Sequence, residues 1–230
     1  MRKKIVKIYG EKRTGTNYLT TLILTNFIDT TVFMNVGGWK HGKFIETPNK
    51  TNLLNTVDRI TKDKINVDET ISLFTTKQVK FIIIIKNPYM WIKSMSEADR
   101  KPITPAFVKD HINFWNDHYS DYMKYIQNET ALLVKYESLL IDPIGTMNSI
   151  KTKFNLTTNK DYVFEKRKLL ACSDSALGST MNKICDTSRY TNLDVSKHLK
   201  KNIIELINNT IDTNLMQFYD YNENISNRAS

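Results

Sequence analysis

The distribution of apolar residues along the chain predicts strands and helices in alternation. Ile5, Val6, Ile8 and Tyr9 form a short apolar run that reads as a buried strand, whereas Leu19, Leu22, Ile23 and Phe27 recur at helical spacing. Thr31 to Met34 predicts a second, short strand, and helices are expected over Thr51 to Ile60 and Val67 to Phe74. The segment Val79 to Ile85 is β-branched and continuous rather than alternating, the pattern of a central strand covered on both faces. Pro88, after Lys86-Asn87, suits the first turn of a helix through Tyr89 to Met95. A long helix follows over Thr104 to Gln127, starting near Pro105, then a strand over Ala131 to Tyr136 and, through Pro143, a helix ending near Phe154. Leu199, Ile203, Ile207, Ile211, Leu215 and Phe218 make a last helical stripe.

Strands alternating with helices imply an α/β fold, a three-layer doubly wound parallel sheet flanked by helices, with its ligand crevice at the carboxyl ends of the strands. Residues 1–221 read as one domain and 222–230 as a frayed tail. The polar stretch 155–194 suggests a loop-rich cover.

Composition narrows the function classes. The 230 residues are 40% hydrophobic and 25% charged, ordinary for a globular chain long enough to bury a sheet-and-helix core. The net charge of +9 is compatible with nucleic acid, a membrane surface or an anionic small ligand. Lys and Arg are spread along the chain rather than massed, which favours a solvated basic surface over a dedicated nucleic-acid face. Cys172 and Cys185 are too few for a disulfide framework and lack metal-site spacing. The longest apolar run, Phe81 to Ile85, is far below the roughly 20 residues of a membrane span, so a soluble, cytoplasmic protein is expected.

The candidate chemistry begins at Gly10-Glu11-Lys12-Arg13-Thr14-Gly15-Thr16-Asn17, between the first strand and the first helix. A strand turning sharply into a helix leaves the first N–H groups of that helix unpaired, a setting for phosphate or sulfate. Of seven glycines, two lie here and three in Gly37-Gly38-Trp39-Lys40-His41-Gly42. Gly10 and Gly15 have the spacing of a nucleotide-triphosphate P-loop, but Thr16-Asn17 stands where Lys-Ser/Thr belongs. The strand ending at Ile85 is followed by no acidic residue that would hold magnesium. A P-loop-type kinase is therefore the alternative reading, with a noncatalytic basic anion- or nucleic-acid-binding module as a third.

Three strand-end segments together resemble the PAPS-dependent sulfotransferase family. Arg13-Thr14-Gly15-Thr16-Asn17 is similar to its 5′-phosphosulfate loop. Lys86-Asn87-Pro88, continuing to Ser94 eight residues after Lys86, is similar to its 3′-phosphate segment. Tyr136-Glu137-Ser138-Leu139-Leu140 is similar to a later strand end. The departure is Lys86, where the family usually has arginine; a point-charge ammonium cannot make a bidentate fork.

The resemblance implies 3′-phosphoadenosine 5′-phosphosulfate (PAPS) as co-substrate, its bisphosphate (PAP) as product and no required metal. Arg13, Thr14, Gly15, Thr16 and Asn17 would hold the 5′ end, Lys86 and Ser94 the 3′-phosphate, and Tyr136 would reach toward adenine. His41 is the matching general base, Arg13 would meet charge developing on the leaving group, and Lys40 would assist the sulfuryl group. The acceptor is expected to be a hydroxyl or amine of a small molecule or glycan, with no specific nucleic-acid or membrane partner. Trp39 reads equally as a stacking or a packing residue, Tyr89 and Trp91 as core. His111, His118 and His198 read as histidines without a site role.

Overall fold

The structure is a computed structural model that describes residues 4–56, 66–158 and 194–221. The residues beyond Thr56 in the second expected helix, nearly all of the expected 155–194 cover and the tail from 222 lie outside the described residues. Four strands, β1 (Lys4–Tyr9), β2 (Thr30–Phe33), β3 (Val79–Ile85) and β4 (Ala131–Lys135), form one parallel sheet in the order β2-β1-β3-β4. Lys4 lies opposite Thr30, Ile5 opposite Val79, and Phe81 opposite Ala131. The strand order reverses between β1 and β3, the two strands whose ends carry the anion-binding candidates, and a reversal of this kind opens a crevice above the sheet.

Around the sheet lie α1 (Thr16–Asn26), α2 (Lys50–Thr56), α3 (Val67–Thr75), α4 (Pro88–Asp99), α5 (Pro105–Gln127), α6 (Tyr136–Ile141), α7 (Pro143–Phe154), α8 (Lys201–Thr210) and α9 (Thr213–Phe218). The continuous apolar run of β3 has the expected cause, burial on both faces. Phe81, Ile83 and Ile85 pack with Tyr9, Trp115, Tyr119, Ile207 and Tyr219. Ile82 and Ile84 pack on the opposite face with Val6, Leu19, Leu22, Val134 and Ile150. Residues Ile82 to Ile85 are all fully buried, each worth about 1.5–3 kcal/mol of apolar transfer. Helix starts follow local chemistry: the side chains of Asn66, Thr104 and Asp142 accept from Glu69 N, Phe107 N and Gly145 N.

Two boundaries differ from the sequence reading. Tyr136 does not close β4 but opens α6, because backbone pairing with β3 stops at Lys135. The last apolar stripe is carried by two helices: Ile211 is extended, and Asp212 caps a new helix by accepting from Asn214 N and Leu215 N. Among the described residues no helix is long and apolar enough to cross a membrane.

Candidate active site

The turn leaving β1 is tightly held by its neighbours. A Cβ on Gly10 would lie 2.5 Å from the Ile84 carbonyl oxygen of β3, so only glycine lets the turn cross the sheet end. Arg13 and Gly15 both have left-handed backbone, with φ of 67° and 91°. Thr14, expected to offer a hydroxyl to an anion, is instead fully buried, and its Oγ1 donates to the Glu11 carbonyl at 2.6 Å. Its hydroxyl shapes the turn. Gly15 opens α1 without a side-chain cap and with no acidic residue in the first turn. The N–H groups of Gly15, Thr16 and Asn17 donate to no acceptor among the described residues. They form, with the exposed Arg13, a positive helix start open to an anion.

The loop after β2 is drawn onto this turn. Gly10 N donates to the Lys40 carbonyl at 3.0 Å, and the Lys40 ammonium donates to Asn17 Oδ1. His41 Nδ1 lies 2.6 Å from the Gly10 carbonyl. A carbonyl only accepts, so in neutral His41 the hydrogen sits on Nδ1 and Nε2 keeps its lone pair. Burial pushes the His41 imidazole down to about 4; the Gly10 hydrogen bond opposes this, and the Lys40 and Lys12 ammonium groups add to it. His41 is thus neutral at physiological pH, with one ring nitrogen anchored and the other unprotonated. Trp39 is not core: it is exposed, meets His41 edge-on with 5.3 Å between ring centres, and has the Lys12 ammonium 5.5 Å above its ring.

The loop has its own supports. The buried Lys7 on β1 donates to the Met34 and Gly38 carbonyls at 2.7 and 2.6 Å. From α5, Tyr122 donates its hydroxyl hydrogen to the Gly42 carbonyl at 2.6 Å, and Asp121 Oδ2 accepts from Phe44 N at 3.3 Å. Lys7 is flanked by apolar neighbours in sequence, and the strand pattern hid its role. A lysine inside an otherwise buried run was the available signal.

At the end of β3, Lys86 and Asn87 are buried. The Lys86 ammonium lies 4.7 Å from the centre of the Tyr136 ring, and a Cβ on Gly15 would fall 2.4 Å from Tyr136 Cδ2. The Tyr136 ring therefore adjoins both anion candidates, the turn before α1 and the end of β3. Asn87 caps α4, its Oδ1 accepting from Tyr89 N at 3.1 Å. Glu137 clamps the corner: Oε1 accepts from Asn87 N and Oε2 from the Tyr221 hydroxyl, each at 2.9 Å. Burial raises the Glu137 carboxyl, while these bonds and the nearby Lys86 pull it back. Ser94 stands nearly two turns into α4, half-buried, its hydroxyl without a hydrogen-bond partner among the described residues. Tyr89 and Trp91 are core as expected, and Trp91 Nε1 donates to the Lys12 carbonyl at 2.7 Å.

His118 was the least legible residue. It is buried on α5, and its Nδ1 meets the carboxylate of the equally buried Glu11 inside the turn. Burial raises the Glu11 carboxyl, with the His118 contact opposing.

No family model matches the sequence. No curated protein matches it either. The crystal structure of mouse sulfotransferase SULT7A1 complexed with PAP is similar in fold, with a TM-score of 0.55 and 13% sequence identity over 96% of this chain and 90% of that one. The sulfotransferase domain from the curacin biosynthetic pathway aligns with a TM-score of 0.39 and 9% identity over 68% of this chain and 75% of that one, too remote to build on. At such identities the likeness is one of fold: a parallel α/β sheet flanked by helices, as in a sulfotransferase.

Proposed function

We propose that this protein transfers a sulfuryl group from PAPS to a hydroxyl or amine of a small molecule or glycan, with His41 as general base. The observation that carries the reading is the attachment of the Trp39-Lys40-His41 loop to the anion turn through Gly10 and Asn17. A base with a free Nε2 beside an uncapped helix start is the pairing that group transfer from an anionic donor needs. The fold similarity to a PAP-bound sulfotransferase supports the same reading.

The donor supplies an activated sulfuryl group on a phosphate leaving group. The N–H groups of Gly15, Thr16 and Asn17, the Thr16 hydroxyl and the Arg13 guanidinium would hold its 5′ end, with the buried Thr14 keeping the turn in shape. Lys86 and Ser94 would hold the 3′-phosphate, and Tyr136 would bound the space between the two anions. Lys40, tied to Asn17, would face the moving sulfuryl oxygens. His41 Nε2 takes the acceptor proton as the acceptor heteroatom bonds to sulfur and the bond from sulfur to the phosphate oxygen breaks. Arg13 meets the charge left on that oxygen.

Incubation with sulfur-labelled PAPS and a panel of hydroxyl and amine acceptors tests this. Label transfer that His41→Ala abolishes, with PAP binding kept, supports it; absence of both PAP binding and label transfer refutes it.

A further inference from the structure

Glu11 is the residue of the anion turn that chemistry would leave out, since a carboxylate beside a bound dianion has the wrong sign. Its backbone is part of the turn: the carbonyl accepts both the Thr14 hydroxyl and the Thr14 N–H, and the N–H lies 3.5 Å from the Tyr119 hydroxyl. Its side chain points inward, 1% of the residue is exposed, and it ends on His118 Nδ1. Four residues on along the same face of α5, Tyr122 holds Gly42, next to His41. The two contacts make α5 a common support for the anion turn and the base loop.

We propose that the buried Glu11–His118 pair is a positioning device for the anion turn, neutral while one proton is held between the two side chains, and that anion affinity falls when that proton is lost. This rests on the reading of the turn as the donor's anion site. A carboxylate with an imidazolium and a carboxylic acid with an imidazole are both net neutral, so the turn tolerates Glu11 in either form. Loss of the shared proton leaves one negative charge buried inside the anion turn, where the low-dielectric surroundings screen it poorly. The groups facing Glu11 are His118, Tyr119 and Tyr122 from α5 and Lys12 from the turn itself, while His41 touches its backbone. Burial holds Tyr119 and Tyr122 uncharged well beyond the ordinary phenol range, and His41 titrates at about 4, so none of these three changes charge near neutrality. Lys7, lowered by burial and by Lys40, is the other group near the loop with a shifted titration, and it is the same in every variant compared.

The test is calorimetric binding of inorganic sulfate, whose charge is constant between about pH 6 and 9, to the wild type, Glu11→Gln, His118→Gln and the double variant. The wild type should bind more weakly as pH rises. Glu11→Gln, whose only remaining charge in the pair is positive, should bind at least as tightly as the wild type at each pH. The double variant, in which neither side chain ionises, should lose the part of the pH dependence that Lys7 does not set. His118→Gln, which strands the carboxylate, should weaken sulfate by about tenfold or more at neutral pH, and the double variant should recover part of that loss. Equal affinities for His118→Gln and the double variant, or the same pH dependence in the wild type and the double variant, would overturn the proposal. If His118→Gln does not fold, the comparison of the wild type with the double variant decides alone. PAP is measured in parallel. Sulfate binding with the expected pH pattern but no affinity for PAP would keep this inference and refute the sulfotransferase reading. PAP binding without the pattern would do the reverse.

Discussion

His41 should remain neutral in the free protein down to about pH 4, against an ordinary value of 6.5. At pH 7 this means about one molecule in a thousand protonated there, instead of about a quarter. Burial is the largest cause and the Lys40 and Lys12 charges add to it, while the hydrogen bond to Gly10 holds the ring in place. The difference between 6.5 and about 4 corresponds to at most about 3 kcal/mol. Its sign follows from the protons bound: between these values the unfolded chain binds the proton that the folded one refuses. The contribution is therefore fully present above pH 6.5 and is lost as pH falls toward 4.

The assay needs no acceptor. The protein has four histidines, and their ring signals can be followed by NMR against pH, with His41→Asn assigning the fourth. The expected midpoint is about 4; it should rise when PAP places negative charge near Lys40, and rise by about half to one pH unit in Lys40→Met. A free-protein midpoint at 6 or above, or one that ignores Lys40→Met, would refute the account of a half-buried base between two cations.

Gly15→Ala should cost about 2 kcal/mol or more in urea denaturation, since a left-handed residue with a Cβ costs about 1–2 kcal/mol and the methyl would also strike the Tyr136 ring. A change below about 0.5 kcal/mol would mean that the turn repacks freely. Asn87→Ala should lose about 1 kcal/mol through the α4 cap alone, because Glu137 receives the Asn87 backbone N–H in either case. Lys7→Met should alter the pH dependence of stability. With its ammonium held well below 10.5 in the fold, wild-type stability should rise with pH up to about 10 as Lys7 discharges, and the variant should lack that rise in thermal melts.

Much of the fold was legible because its signals are local. The β-branched run ending at Ile85 and the prolines opening α4, α5 and α7 specify strand and helix starts whatever packs against them. The seam between α8 and α9 was hidden because Ile211 keeps the apolar period while its backbone leaves the helix. Tyr136 misled in a similar way, being a good strand residue that sits one position past the last sheet pairing.

The candidate site divides along the same line. Arg13 to Asn17, Lys86 to Ser94 and the His41 loop could be read as separate segments, since each is short and carries its chemistry in its own residue types. Their assembly could not. Parallel pairing of β1 with β2 and β3 brings the three strand ends to one edge, and long-range contacts then join them: His41 to Gly10, Lys40 to Asn17, and Tyr136 against both Gly15 and Lys86. Glu11 and His118 are 107 positions apart, and no local pattern couples residues at that separation. Residue type and spacing determine which segments can bind an anion or move a proton. Burial and long-range contact decide which of them meet, and what charge each carries there.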